Sequence, residues 1–437
     1  MTRRGRAIAA TALLIFSAAC AREEILEGER LGLRALDGVP DAVVDTGTPP
    51  PFTAPATQRL SQWTHRAGNP EHRVAHAAFS TAPSLAWTVP IGAGDSRKHR
   101  ITADPVVAGG RIFTMDSRST VTAVSTNGQV IWSRDLTPAS DREDDASGGG
   151  LATDGSRVFA TSGFGRLTAL DAQTGEELWT QRLGAAATSA PTVVGDTVYA
   201  VSTDSRAWAV NVETGRVQWE VSGAPSPSGV IGAGAPAVTD RLALLPFHSG
   251  ELVGALTLSG LRVWTAPLSG GRKGRVYARI TDVTGDPVVV GNTIYAGNPS
   301  GKSMAVDITS GDRIWTADEG SQSPPWVAGG AGFIVSDENQ LVRLDAATGQ
   351  RLWGTQLPYF TRERVRRRQA ITDHYGPILA GGQLIVASGD GEMRFFDPTT
   401  GVPLGAVSLP GGAASLPAVV DGTLYVVSSN GRLHAFR

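Results

Sequence analysis

At 437 residues the chain is too long for one compact hydrophobic core, which leaves several domains or a repeat architecture. Its 53 glycines and 26 prolines beside 41% hydrophobic residues exclude both a helical bundle and a disordered chain, because frequent turns are coupled to ample apolar burial. A formal net charge of −2 excludes a general attraction to polyanions, so nucleic acid is not an expected partner.

The chain opens on MTRRGRAIAATALLIFSAAC: Arg3, Arg4 and Arg6, an apolar run, then small residues up to Cys20. This is the pattern of a secretory signal over 1–19, and its apolar run is shorter than the roughly 20 residues a membrane-spanning helix needs. Cys20 is the sole cysteine. It is either a free or intermolecularly paired thiol or, following Ser17, Ala18 and Ala19, the acylated first residue of a lipoprotein. Residues 20–83 differ in composition from the rest of the chain, with a charged stretch, AREEILEGERLGLRALDG, and a Pro-rich one, TPPPFTAP. They are expected to form a lipidated, extended tether.

From residue 84 to 437 a repeat takes over. GQVIW, GEELW, GRVQW, GLRVW, GDRIW and GQRLW end at Trp132, Trp179, Trp219, Trp264, Trp315 and Trp353, spaced 38 to 51 residues apart. A strand-like run precedes each, as in GRLTALDAQTGEELW (165–179), where Asp171 is placed to cap the turn and Gly175 to take positive φ. Two more strands lie upstream, as in SAPTVVGDTVYAVS (189–202), so each unit carries the four short strands of a propeller blade. A seventh unit, GEMRFFDPTTGVPLG, has Gly405 in place of the Trp, and the chain ends with three strands and no fourth. SLAWTVP (84–90), with Trp87, is a lone fourth strand. The predicted fold is therefore all-β: an eight-bladed β-propeller closed by pairing this N-terminal strand with the C-terminal blade, which removes the exposed edges at the join. The repeated Trp residues are read as interblade packing, each indole burying up to about 200 Å² at about 25 cal/mol per Å².

The remaining motifs imply no catalytic residue, no metal site and no cofactor. His72 and His76 share i,i+4 spacing, but without a suitably placed acidic residue they read as a solvated linker. DREDD (141–145) lacks the alternating ligands and central Gly of a calcium loop. SGVIGAGAP (228–236) lies in no βαβ unit, as a dinucleotide loop would. The densest charge, RERVRRR (362–368), reads either as a solubilising loop or as a contact for phosphate or carboxylate groups.

GRLTALDAQTGEELW and QLVRLDAATGQRLW resemble the repeat of quinoprotein propellers. That resemblance would imply a quinone-dependent periplasmic dehydrogenase or a small-ligand-binding propeller, but those enzymes carry an adjacent cysteine pair that this chain lacks. Over nearly its whole length, through the lipobox-like signal, ILEGERL, WTHRAGNPEHRVAH, eight blades and RITDVTGDPVVVGNTIYA, the chain resembles the BamB family, propeller lipoproteins of the bacterial outer-membrane β-barrel assembly machinery. The resemblance implies a non-catalytic scaffold anchored through Cys20 at the periplasmic face of the outer membrane. It would dock on the POTRA domains of the barrel-inserting subunit and help present unfolded outer-membrane clients for insertion. It carries the partner contacts onto Ser228, Gly229, Val230 and Ile231 in one loop, and Arg279, Asp282 and Thr284 in the next. Ile231 stands where the family often has Arg and Thr284 where it often has a second Asp, leaving Asp282 as the charged contact, or as a cap of its own turn.

Overall fold

The computed structural model describes residues 49–226, 229–232, 234–268, 270–272, 280, 282–362 and 364–437. The expected signal, Cys20, Ser228 and Arg279 lie outside them. Thirty-two strands form eight four-stranded antiparallel sheets, and each blade is built in sequence order from an inner to an outer strand. The eighth sheet instead takes its outer strand, Leu85–Pro90, from the start of the propeller and pairs it with Arg432–Phe436, Thr88 opposite His434. Backbone bonds between Ser84 and Arg437, 2.7 and 2.9 Å, seal the join.

Burial varies with position in the blade. In the second blade the third strand, Arg166–Asp171, buries its four central residues, whereas the outer strand, Glu177–Arg182, is exposed or half-buried throughout. The core lies between blades: Phe159 and Leu167 of the second blade pack in one cluster with Val198 and Val210 of the third. This is how a blade too thin to bury its own apolar residues becomes stable.

The Gly-x-x-x-Trp signal is the device that joins blades. The Nε1 of Trp132, Trp179 and Trp219 donates to a backbone carbonyl of the next blade, at Ala172, Val212 and Thr257, over 3.2, 2.8 and 2.8 Å. Each indole also lies against the glycine of that blade's outer turn: a Cβ on Gly175 would come 2.6 Å from the Trp132 ring, and one on Gly215 2.7 Å from that of Trp179. Asp171 caps the same turn as expected, its Oδ1 accepting from the amides of Gln173 and Thr174 at 2.8 Å each. The missing tryptophan of the seventh blade has a structural reason. Gly405 sits opposite Phe395, as Trp179 sits opposite Ala169. The eighth blade, however, offers no such turn for an indole to cover, because its outer strand Leu85–Pro90 comes from the start of the propeller and does not follow Arg432–Phe436 along the chain.

The tether expectation is corrected for its described part. Residues 52–79 do not stand off as an extended linker but cross one end of the central channel and touch every blade. Trp63 exchanges two 2.7 Å backbone bonds with Val107, Thr64 O accepts from Thr153 N at 2.9 Å, and Pro70 and Glu71 accept from Val238 and Val289 at 2.8 and 3.0 Å. The His65 ring meets Val193 O at 3.1 Å. Leu60 accepts from Asp421 N at 2.8 Å, and Ala77 bonds Leu379 and Gly381. Phe52 packs edge-on against Trp326, 6.5 Å between ring centroids. The histidines read as solvated are buried here: His72 is 1% exposed and His76 4%. The Nδ1 of His72 meets Pro287 O at 3.1 Å, and both ring nitrogens of His76 find backbone partners, Pro55 O and Gly382 N at 2.8 and 2.9 Å. The channel is thus covered by a plug, held by amides at the ends of the inner strands that would otherwise lack partners.

Candidate docking face

At the opposite end of the channel, the loops that lead into the inner strands surround a cup of about 360 Å³. Its floor includes Arg66 of the plug and Asp104, and its wall includes Val230, Ile231, Gly232, Thr284, Tyr359, Ile371 and Tyr375. Five of the seven residues assigned by resemblance to partner contact are described, and the structure brings them together here. They play unequal parts.

Residues 229–232 are fastened from three sides. Val230 N donates to Asp282 Oδ2 in a short hydrogen bond, Gly232 N donates to Thr188 Oγ1 at 3.2 Å, and Gly232 O accepts from the Arg66 guanidinium at 3.2 Å. Further along, Gly234 N donates to Val283 O at 3.0 Å and Ala235 N to Asp286 Oδ1 at 2.7 Å, so the two candidate loops are laced together. Gly229 passes so close to His248 that a Cβ would come 2.8 Å from its Nδ1. Ile231 alone of this loop projects a large apolar side chain, 53% exposed, and its Cγ2 rests over Gly148, where a Cβ would be 2.8 Å away.

Asp282 is 1% exposed. Besides Val230 N, its Oδ2 lies 3.3 Å from His248 Nδ1. It is therefore not an exposed surface charge, and among the described residues it braces the loop that carries Ile231. Thr284, 5% exposed, is committed too, its Oγ1 donating to Ser321 O at 3.0 Å. Of the described candidates, Ile231 presents the most exposed side chain, with Val230 half-buried beside it.

Beneath the cup Arg66 Nε lies 3.0 Å from Asp104 Oδ2 and 3.2 Å from Asp286 Oδ2, both carboxylates buried and the guanidinium nearly so. Asp104 Oδ1 also accepts from Leu416 N at 2.6 Å. Burial pushes the Asp104 carboxyl up to about 7, against the pull of Arg66, and Asp286 is raised for the same reason: one guanidinium serves two buried carboxylates. In the plug, burial pushes His65 and His72 down to about 3. Arg66, Asp104, Asp286, Thr188 and His248 were not singled out in the sequence. WTHRAGNPEHRVAH carried the resemblance, but nothing in its spacing indicated a guanidinium beneath a loop more than 160 residues away. Among the described residues no group of three or more His, Cys, Asp or Glu is arranged to hold a metal ion.

The family described as Outer membrane protein assembly factor BamB matches residues 117–355. Outer membrane protein assembly factor BamB of Shewanella oneidensis is 26% identical over 362 residues, 80% of this chain and 88% of that one. The protein of the same name from Yersinia pestis is 24% identical over 363 residues, 81% and 89% of the two chains. Among solved structures, BamB from Moraxella catarrhalis superposes with a TM-score of 0.68 at 19% identity, covering 82% of this chain and 100% of that one. The quinohemoprotein alcohol dehydrogenase of Comamonas testosteroni superposes at 0.66 with 16% identity, covering 87% and 81%. Both structures share the fold, so the likeness of shape does not choose between assembly and dehydrogenation.

Proposed function

The chain belongs to the BamB family of outer membrane protein assembly factors, and from that premise we propose that it is a non-catalytic scaffold of the β-barrel assembly machinery whose cup-side face docks on the POTRA domains of the barrel-inserting subunit. The observation that carries the reading is the presentation of Ile231: a half-exposed apolar side chain on a loop held by Asp282, Thr188 and Arg66. A contact residue whose backbone is already ordered loses little conformational entropy on binding. Within the family's assignment, Gly229 and Val230 belong to the loop that presents Ile231, Asp282 acts by positioning that loop and Thr284 lies beside it, held to Ser321, while Ser228 and Arg279, outside the described residues, are proposed as further contacts. Acylation of Cys20 would hold the propeller at the periplasmic face of the outer membrane, and the scaffold's contribution to the insertion of unfolded clients is geometry and local concentration rather than bond chemistry.

The test is Ile231→Asp in the full-length protein. Co-purification with the barrel-inserting subunit from solubilised membranes is expected to fall several-fold while the thermal melting curve is unchanged. Undiminished co-purification removes the assignment of this face. Asp282→Arg is a poorer probe, since a buried brace cannot be enlarged without moving the loop itself.

A further inference from the structure

The arginine-rich insertion lies at the edge of the same cup. Residues 359–362 and 364–372 are the described part of a closed hairpin: Phe360 bridges Ile371, Thr361 N donates to Ala370 O at 3.1 Å, and Thr372 N to Tyr359 O at 3.0 Å. A single 3-10 turn, Val365–Arg367, makes the tip. Its base is stiffened by Tyr359 against Phe360, 4.7 Å between ring centroids, and by the Arg368 guanidinium 4.9 Å over the Phe360 ring. Arg362, Arg364, Arg366 and Arg367 are exposed and form no ion pair among the described residues. Arg362 and Arg367 flank a cleft of about 350 Å³, wide enough for a carboxylate side chain. Tyr359 and Ile371, the two ends of the hairpin, line the cup together with Ile231, and Ile371 is 49% exposed.

We infer that this hairpin is the second, electrostatic half of the docking face, and that it receives an acidic segment of the same protein partner that covers Ile231. The inference rests on the docking reading above and adds to it the chemistry of the partner: an apolar contact for Ile231 and Ile371, flanked on one side by carboxylates for the arginines. Two observations favour a protein over a lipid surface. Two of the guanidiniums, Arg362 and Arg367, line a cleft rather than crown a flat patch, and the hairpin shares its base with a concave cup that a planar headgroup layer would leave unfilled. The hairpin's fork donors suit paired recognition of carboxylates.

The experiment compares three full-length proteins, the parent, Ile231→Asp, and the triple variant Arg362→Glu, Arg366→Glu, Arg367→Glu, for affinity to the detergent-solubilised barrel-inserting subunit in low and in physiological salt. The triple variant is expected to bind about tenfold more weakly in low salt and to lose most of the parent's salt dependence, whereas Ile231→Asp weakens binding with that dependence intact. The corresponding triple Gln variant is expected to fall between, with all melting curves superimposed. If Ile231→Asp loses binding and the triple variant does not, the docking face stands and this inference is overturned. If the triple variant binds the subunit normally but no longer binds vesicles containing phosphatidylglycerol, the hairpin serves lipid and the inference is overturned as well. If neither variant affects the subunit, the docking reading falls and takes the inference with it.

Discussion

Gly175 meets two demands at once. Its φ of +74° favours glycine, and its missing Cβ leaves room for the Trp132 ring of the preceding blade. Gly195, at φ +59°, meets only the first, since a Cβ there would have nothing within 4 Å. Gly175→Ala is therefore expected to cost about 2–4 kcal/mol, left-handed strain plus overpacking, and Gly195→Ala about 1 kcal/mol. Urea unfolding midpoints distinguish the two, and equal losses would mean that the indole contact contributes nothing. The motif was legible in the sequence because its spacing recurs, but the partner of each Trp was not: the indole covers a glycine of the next repeat, at a distance along the chain that differs from blade to blade, as Trp179 over Gly215 and Trp264 over Gly311 illustrate. Asp282 marks the same limit at the docking face. A carboxylate in a loop reads as a surface charge until the fold is known, and only packing reveals that it faces Val230 N and His248.

The plug is the element that sequence reasoning missed. Residues 52–79 have neither the alternation of a strand nor the period of a helix, and they are fixed by partners drawn from eight separate blades, so no local signal announces them. Their chemistry makes a pH prediction. His65 and His72 titrate near 3 in the folded protein against 6.5 as unfolded groups, so the unfolded chain takes up protons first as the solution is acidified. The stability they contribute is complete above about 6.5 and is lost as pH falls towards 3. Asp104 has the opposite sign: its folded carboxyl is raised above its unfolded value, so the stability linked to its proton is present at low pH and lost as pH rises through about 7. Comparing variants separates the two effects. His65→Gln with His72→Gln is expected to flatten the fall in melting temperature between about pH 6.5 and 4.5 by roughly 2–5 °C, and an unchanged slope would show that the plug histidines do not report acid release. Asp104→Asn is expected to gain stability relative to the parent at about pH 8 compared with about pH 5, checked on the same melting curves.

The whole ring depends on two strands from the ends of the propeller. Deleting residues 432–437 leaves Leu85–Pro90 without a partner and opens the eighth sheet, so the expected result is a sharp drop in soluble protein and rapid proteolysis at residues 84–90. Retention of both solubility and protection there would mean that the ring tolerates an open seam. Blade number and closure were readable in advance because a lone strand at one end matched the missing fourth strand at the other. The cup was not, since its wall gathers single residues from loops that share no motif. The seam also governs how the molecule comes into being. Seven blades pair strands that are neighbours along the chain, whereas the eighth pairs residues separated by nearly the entire propeller, a contact whose closure entropy is met only after everything between has folded. The strand Arg432–Phe436 must therefore be present before the ring can close, and until then Leu85–Pro90 waits as an unpaired edge.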